Sequence, residues 1–217
     1  MNRYDLAVFD LDGTLLDTRE GVIHSVKYTI EKMGFEMISD EELSSFIGPP
    51  VQASFARIYG LEGPILQEIA TTFRNNYKLH ENLFRARAYD GIFELFAELR
   101  GRGITPAVAT FKREDTALDV LRHFGFDKYT DVMFGGDHEN KLTKRDIIEK
   151  CLTYSGVTDK SRAVMIGDTH FDAVGAEEIG VDFIGVTYGF GFKSAKDVVG
   201  GTAIGSADTA LDILKFF

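Results

Sequence analysis

Short, mainly apolar runs recur along this chain and constrain its fold more than any other feature. The first run is Leu6–Phe9, and later ones occupy residues 104–110, 131–134, 162–167 and 182–186. A strand that is buried on both faces needs a run of this kind. Helical patterns separate the later runs, and strands that alternate with helices predict an α/β fold with a parallel sheet covered on both faces.

The first run ends in two carboxylates that are one residue apart. Asp10 lies where the strand emerges, Asp12 follows it, and Gly13 turns the chain. Strand side chains two positions apart point the same way, so Asp10 and Asp12 can share one small space, although the turn could re-aim Asp12. Two such carboxylates repel each other unless one is protonated or a cation lies between them. The pair indicates a phosphate-handling site, in which one Asp attacks, the other moves a proton and Mg²⁺ neutralises the cluster; a solvated acidic loop is the alternative.

A helical segment follows the first strand. Apolar residues recur on one helical stripe between residues 22 and 33, and Gly34 is a helix stop. Residues 39–42 form a capping-box pattern that starts another helix. Residues 51–59 and 64–83 also have helical patterns, and the segment contains no convincing strand pattern. We therefore predict a helical insert.

The rest of the chain alternates between strand and helix patterns. Helices are predicted at residues 90–100, 113–124, 143–154, 170–179 and 207–214. Residues 189–205 are rich in glycine and are predicted to be a loop-rich region. The expected domains are an α/β core of residues 1–16 and 84–217 and a helical insert of residues 17–83.

Composition limits the partners and the compartment. The 217 residues carry a net charge of −10, from 34 acidic and 24 basic residues, which argues against nucleic-acid binding by a basic face. The single cysteine, Cys151, fits a reducing compartment, and we expect it on the apolar side of its helix with Ile147, Ile148 and Tyr154. The start of the chain leads straight into the first strand and no stretch is apolar over a membrane-spanning length, so we expect a cytoplasmic protein with no membrane partner.

Residues 10–17, Asp-Leu-Asp-Gly-Thr-Leu-Leu-Asp, resemble the first motif of the haloacid dehalogenase superfamily of phosphohydrolases. The second motif of that family is an apolar strand that ends in Thr or Ser, and Thr110 occupies this position. Phe111 and Lys112 follow, where the family often has Asn or Ser before Lys. This departure leaves the role of Lys112 open.

The third motif of the family supplies a lysine, and Lys141 and Lys144 are the two candidates. Lys144 begins a helix, where the helix dipole mildly disfavours a cation, so we expect another group to hold it. The segment also resembles a variant of the third motif in which the lysine directly precedes the helix body, and we therefore favour Lys144 over Lys141. The fourth motif is matched by Gly-Asp-x-x-x-Asp, which ends in Asp172 and includes Asp168. His170 lies between these acids and is expected to be polar surface.

The resemblance implies a Rossmann-like parallel sheet with strand order 3-2-1-4-5 and a small α-helical cap domain inserted after the first strand. In such sheets ligands bind beyond the carboxyl ends of the strands. The four positions Asp10, Asp12, Thr110 and Asp168 are therefore expected to converge. Residues 47–55, 88–92 and 184–191 further resemble phosphoglycolate-phosphatase-like members of the family.

The resemblance also implies roles for these residues. Asp10 would be the nucleophile and Asp12 the acid and base, and Mg²⁺ would be bound by Asp10, the backbone carbonyl of Asp12, and Asp168. Thr110 and Lys144 would stabilise the phosphate oxygens.

Three further residues are implied to support the site. Gly13 would bind phosphate, while Thr14 and Asp172 would assist without binding the metal directly.

The implied reaction is hydrolysis of a small-molecule phosphate monoester through an aspartyl-phosphate, with phosphoglycolate as the leading candidate. A sugar-phosphate mutase, a nucleoside monophosphatase and a pyrophosphatase share the same core motifs and stay open. A signalling receiver domain also forms an aspartyl-phosphate, but it needs an Asp at the exit of its third strand. Asp137 follows two glycines and fits that position poorly.

Overall fold

The computed structural model describes residues 3–139 and 141–217, so Met1, Asn2 and Asn140 lie outside the described residues, as does the side chain of His80. The chain divides into two compact units. Unit 1 consists of Met1–Leu16 and Ala88–Phe217, and unit 2 is Asp17–Arg87. The assignment of the helical segment as a cap domain stays a prediction.

The described residues contain eight strands. They are β1 (Leu6–Phe9), β2 (Leu16–Asp17), β3 (Arg87–Ala88), β4 (Thr105–Arg113), β5 (Met133–Gly136), β6 (Ala163–Gly167), β7 (Asp182–Val186) and β8 (Ala203–Ala207). The short strands β2 and β3 pair with each other, and the other six form one sheet in the order β5-β4-β1-β6-β7-β8. Each neighbouring pair in this sheet is parallel.

The described residues also contain nine α-helices. They are α1 (Arg19–Met33), α2 (Asp40–Ser44), α3 (Val51–Tyr59), α4 (Ile65–Tyr77), α5 (His80–Leu83), α6 (Ile92–Gly101), α7 (Glu114–His123), α8 (Lys144–Tyr154) and α9 (His170–Ile179). A 3-10 helix at Leu211–Phe216 is the last element of the chain. None of the helices in the described residues is long and apolar enough to span a membrane.

The central strand β1 is buried on both faces, as its continuous apolar run predicts. All four of its residues are buried. On one face Leu6 and Val8 belong to the same hydrophobic cluster as Ile147 and Ile148 of α8. On the other face the ring of Phe9 packs 5.0 Å from the ring of Phe96, centroid to centroid. Helices therefore cover both faces, and the α/β prediction is confirmed.

The predicted strand order holds for five strands and misses a sixth. The predicted order 3-2-1-4-5 corresponds to β5-β4-β1-β6-β7, and β8 extends the sheet beyond β7. β8 lies mostly in the region that was predicted to be loop, and its last residue falls in the helix predicted at residues 207–214. That helix prediction was wrong. The strand is only half buried. Its sequence, Ala-Ile-Gly-Ser-Ala, contains one β-branched residue and no alternation of apolar and polar residues, so no sequence pattern predicts a strand here.

Strand β4 continues three residues past Thr110, the predicted end of this strand. Arg113 still pairs with Gly136 of β5. A Cβ at Gly135 would lie 2.5 Å from the carbonyl O of Lys112, and one at Gly136 would lie 2.8 Å from that of Phe111. The two glycines of β5 thus permit the backbone of residues 111–113 to run beside them, and they explain the extension.

Unit 2 is helical, as predicted, with one difference. The chain turns out of α1 at Gly34, where φ is 72°, and Ser39 and Glu42 form the predicted capping box of α2. The single helix predicted over residues 64–83 is instead two helices, α4 and α5. Nδ2 of Asn82 donates to the carbonyl O of Asn76 at 3.0 Å, so a side chain satisfies a backbone acceptor near the end of α4.

Candidate active site

The predicted site residues of unit 1 come from the carboxyl ends of three neighbouring strands. Asp10 directly follows β1, Thr110 lies in the last part of β4, and Asp168 directly follows β6. Because β1 lies between β4 and β6, these ends meet at one edge of the sheet. Lys144 is the first residue of α8, which covers this sheet.

Lys144 is held at the centre of a buried cluster. Its Nζ lies 2.7 Å from Oδ1 of Asp10 and 2.7 Å from Oδ1 of Asp172, and it donates to the carbonyl O of Ala109 at 3.0 Å. The Lys144 side chain is only 3% exposed. Two hydrogen-bond acceptors and the ion pair with Asp172 fix this buried lysine in place, which explains why a cation lies at a helix N-terminus.

Burial and the neighbouring charges shift the pKa values of the ionisable groups in the cluster. Burial raises the pKa of Asp10 above its usual range, and the nearby Asp172 and Asp12 add to the rise, although Lys144 opposes it. Burial and the charges of Asp172 and Asp10 raise the pKa of Asp168 to about 8. Burial disfavours the charged form of Lys144, but Asp10 and Asp172 outweigh it and raise its pKa.

Asp172 uses both of its carboxylate oxygens within the protein. Oδ1 is paired with Lys144, while Oδ2 accepts from the backbone N and from Oγ1 of Thr169, at 3.1 and 2.8 Å. The contacts between Asp172 and Thr169 form the capping box at the N-terminus of α9. Asp172 therefore connects the start of α9 to Lys144, an arrangement that suits a support for the lysine.

Asp168 is held by a glycine-rich loop that follows β7. Its Oδ2 accepts from the backbone N of Phe190 at 2.7 Å and of Gly191 at 3.1 Å. A Cβ at Gly189 would overlap the carbonyl O of Gly13 and would lie 2.5 Å from Oδ2 of Asp168. Only a glycine lets this loop approach Asp168 so closely.

Gly13 and Thr14 pack against Asp168. Gly13 has φ +88°, and a Cβ there would overlap Oδ2 of Asp168. Oγ1 of Thr14 donates to Oδ1 of Asp168 at 3.4 Å, and the hydroxyl of Tyr188 donates to the carbonyl O of Thr14 at 3.0 Å. The turn after Asp12 is thus fitted to the acid at the end of β6.

The carboxylate of Asp12 forms an ion pair with Lys112. Nζ of Lys112 lies 3.0 Å from Oδ2 of Asp12, and the two side chains are 9% and 10% exposed. Oγ1 of Thr110 accepts from the backbone N of Lys112 at 3.1 Å, which leaves the hydroxyl proton of Thr110 available for another acceptor. The two carboxylates that follow β1 are therefore each paired with a different lysine.

The donor set fits a divalent cation. Among the described residues, one group of three acids could hold a metal ion: Asp10, Asp168 and Asp172, each with a ligand atom within 4.8 Å of the others. The four acids Asp10, Asp12, Asp168 and Asp172 face two ammonium groups, so two negative charges stay uncompensated when all are ionised. Burial raises the pKa values of Asp10 and Asp168, and the neighbouring carboxylates add to the rise. Oxygen-only ligands of this charge suit Mg²⁺.

Other candidates from the sequence lie outside this cluster. Lys141 is exposed and pairs with Glu139, and its backbone N donates to Asp137 at 2.8 Å. His170 is exposed at the start of α9. Cys151 is buried as expected, whereas Tyr154 is 58% exposed, so its predicted place on the same apolar side was wrong.

Two parts of the site were missed in the sequence. The role of Lys112 stays open in the sequence because Phe111 and Lys112 depart from the second motif of the family. The contact with Asp12 depends on the part of β4 that continues past Thr110, which the sequence does not predict. The segment from Gly189 to Gly191 lies in the predicted loop-rich region, to which the sequence assigns no function. Its alternating glycines directly beyond the carboxyl end of β7 were the available signal.

The sequence matches the family model described as haloacid dehalogenase-like hydrolase over residues 7–186. A relative from Pseudomonas aeruginosa, named 5′-nucleotidase, is 37% identical over 190 residues, which are 87% of this chain and 85% of the relative. A relative from Mycobacterium tuberculosis, named tyrosine-protein kinase PtkA, is 32% identical over 205 residues, 94% of this chain and 69% of the relative. A phosphoglycolate phosphatase from Agrobacterium fabrum is 32% identical over 192 residues, 85% and 81% of the two chains.

The fold is also similar to solved structures. The crystal structure of a predicted phosphatase from Clostridium acetobutylicum superimposes with a TM-score of 0.88 at 32% sequence identity. The match covers 98% of this chain and 97% of that one. The similarity in fold therefore extends over nearly the whole chain.

Proposed function

The chain belongs to the haloacid dehalogenase-like hydrolase family and is a phosphatase, and on that premise we propose that it hydrolyses a small phosphate monoester through an aspartyl-phosphate on Asp10, with Mg²⁺ as cofactor. One observation carries the proposal. The Asp10 carboxylate, at the exit of β1, is held by Lys144 and lies within 4.8 Å of Asp168. A carboxylate fixed beside a lysine and a metal-competent acid is placed to attack phosphorus.

The proposed roles follow from these contacts. Asp10 attacks phosphorus, forms a carboxyl oxygen–phosphorus bond and displaces the ester oxygen, which takes a proton from Asp12. Asp12 then removes a proton from water, the water oxygen attacks phosphorus, and inorganic phosphate leaves as the Asp10 carboxylate is restored. The hydroxyl of Thr110 and the ammonium of Lys144 offer hydrogen bonds to the phosphate oxygens.

The residues that would hold Mg²⁺ are Asp10, Asp168 and the backbone carbonyl of Asp12. The bound ion would offset the negative charge of the phosphoryl group during transfer. Asp172 is a poorer ligand, because one of its oxygens is ion-paired with Lys144 and the other accepts from Thr169. We assign it to holding Lys144, and Thr14 and Gly13 to fitting the turn against Asp168.

Unit 2 is proposed to be the cap that selects the substrate. Unit 2 contains a cavity of about 680 Å³. More basic than acidic residues line it, although the protein as a whole carries a net negative charge. Its lining residues are Asp17, Arg19, Glu20, Ile23, His24, Lys27, Arg85, Ala86 and Arg87. Such a lining suits an anionic molecule. Phosphoglycolate, which carries a carboxylate besides its phosphate, is our leading candidate, and the similarity to a 5′-nucleotidase favours nucleoside 5′-monophosphates as the second.

The proposal is tested with a panel of phosphate compounds. Purified protein with Mg²⁺ is incubated with phosphoglycolate, nucleoside 5′-monophosphates, hexose phosphates and pyrophosphate, and released inorganic phosphate is measured. We expect release from at least one monoester, loss of release in excess chelator and its return on adding Mg²⁺. Asp10→Asn serves as the matched control.

Two results would overturn the proposal. Undiminished release in chelator would exclude the metal, and an active Asp10→Asn variant would exclude the covalent route. Isomerisation of a hexose phosphate without phosphate release would identify a mutase instead.

A further inference from the structure

Lys112 forms the second buried lysine–aspartate pair of the site. Its Nζ lies 3.0 Å from Oδ2 of Asp12, and about nine-tenths of each side chain is buried. Removing a lysine and a carboxylate from water is costly, and a close ion pair offsets that cost only when its geometry is well defined. The pair therefore restricts the positions that the Asp12 carboxylate can take.

The two lysines divide the acids of the site into two sets. Lys144 contacts Asp10 and Asp172, which together with Asp168 form the metal-competent group of the described residues. The side chain of Asp12 is not part of that group, and Lys112 is the cation that contacts it. Each of the two lysines therefore contacts different carboxylates of the site.

The backbone places Lys112 for this contact. β4 continues to Arg113 because Gly135 and Gly136 of β5 allow its backbone to pass close beside them. The backbone N of Lys112 also donates to Oγ1 of Thr110 at 3.1 Å. Lys112 is thus fixed relative to Thr110, a residue of the proposed phosphate site.

We infer that Lys112 is a positioning residue that holds Oδ2 of Asp12, so that Oδ1 is directed to the leaving oxygen of the ester. This inference rests on the proposed function, because it assigns Lys112 a part in the proton transfer by Asp12. As the phosphorus–oxygen ester bond breaks, the proton moves from the Asp12 carboxyl to the leaving oxygen, and the ammonium of Lys112 stabilises the carboxylate that remains.

A positioning role predicts an effect that depends on the leaving group. An alkoxide leaves poorly without a proton, whereas nitrophenolate leaves readily without one. Loss of Lys112 should therefore slow phosphoryl transfer from alkyl esters much more than from p-nitrophenyl phosphate. A lysine that only binds the phosphate, or only supports the fold, would affect both esters alike.

The experiment compares Lys112→Gln, Lys112→Arg and Asp12→Asn with the wild type in the presence of Mg²⁺. The substrates are p-nitrophenyl phosphate and the best alkyl monoester of the panel, and kcat and KM are measured for each. Lys141→Gln is the control, because Lys141 is exposed and lies outside the cluster. Circular dichroism and thermal unfolding show whether each variant is folded.

For Lys112→Gln we expect kcat/KM for the alkyl ester to fall about 10- to 100-fold, a part of the roughly 10²- to 10⁴-fold that general acid catalysis contributes, and that for p-nitrophenyl phosphate to fall about threefold or less. Lys112→Arg, which keeps the charge, should recover part of the loss and also serves if Lys112→Gln does not fold. Equal losses on both esters, or a rise in KM alone, would overturn the inference. If Asp12→Asn itself shows no dependence on the leaving group, the proposed role of Asp12 fails instead.

Discussion

Lys144 and Asp10 are 134 positions apart in the sequence, yet Nζ of Lys144 lies 2.7 Å from Oδ1 of Asp10. The same ammonium is 2.7 Å from Oδ1 of Asp172, so one cation joins the end of β1 to the first turn of α9. All three side chains are almost completely buried. Their contacts hold together three segments of the chain that carry the proposed chemistry.

Lys144→Met should destabilise the protein strongly. The change leaves the buried carboxylates of Asp10 and Asp172 without their cation, and removing one partner of a buried pair costs about 3–5 kcal/mol. The free energy of unfolding, measured by urea denaturation without Mg²⁺, tests this value. Lys141→Met is the matched control, since surface substitutions of this kind stay within about 0.5 kcal/mol. Equal stability of the two variants would contradict the buried cluster.

Gly189→Ala should disturb Asp168. The added Cβ would overlap the carbonyl O of Gly13 and crowd Oδ2 of Asp168, and overpacking of this kind costs about 1–3 kcal/mol. Gly101→Ala is the control, because a Cβ there has no atom of another segment within 4 Å. We expect phosphatase activity to fall at least tenfold in Gly189→Ala and to be unchanged in Gly101→Ala. Normal activity in Gly189→Ala would show that the loop does not approach Asp168 as described.

Mg²⁺ should raise the melting temperature of the wild type, independently of any substrate. A ligand that binds only the folded state stabilises it by about 2.7 kcal/mol at 100 times its Kd. In Asp168→Asn, which replaces one carboxyl of the acidic group by an amide, the shift should be much smaller at the same Mg²⁺ concentration. Identical shifts in both proteins would exclude Asp168 as a ligand.

The Cys151 thiol should be unreactive in the folded protein. Burial raises the pKa of Cys151 to about 12 from its usual 9.0, so almost no thiolate forms at pH 8. Iodoacetamide should modify Cys151 only after denaturation. Above pH 9 the unfolded state releases this proton more readily than the folded state, so the contribution of Cys151 to stability falls as the pH rises toward 12. Rapid modification of the native protein at pH 8 would contradict the packing around Cys151.

Most of the core could be predicted because the local sequence patterns there agree with the burial that the tertiary structure imposes. The run at β1 is apolar throughout because both faces of the strand are covered, and α9 and β7 begin and end where the sequence predicts. Resemblance to a variant of the third motif favours Lys144 over Lys141, and a cation at a helix start also needs another group to hold it. In the structure, Asp10 and Asp172 hold this cation.

The errors have physical causes that a single sequence does not display. β8 is a half-buried edge strand with little alternation, so it resembles a loop. The extension of β4 depends on close approach to Gly135 and Gly136, which lie on another strand. The ion pair between Lys112 and Asp12 depends in turn on that extension.

The most direct test of the central claim is a search for a phosphoryl group on Asp10. The protein is mixed with Mg²⁺ and its best monoester, quenched in acid within one turnover and digested with pepsin, and the peptides are analysed by mass spectrometry. We predict one phosphoryl group on the peptide that contains Asp10, more of it in Asp12→Asn, in which the attack of water is slowed, and none in Asp10→Asn. Phosphate release by the wild type with an unmodified Asp10 peptide in both wild type and Asp12→Asn would contradict the covalent mechanism.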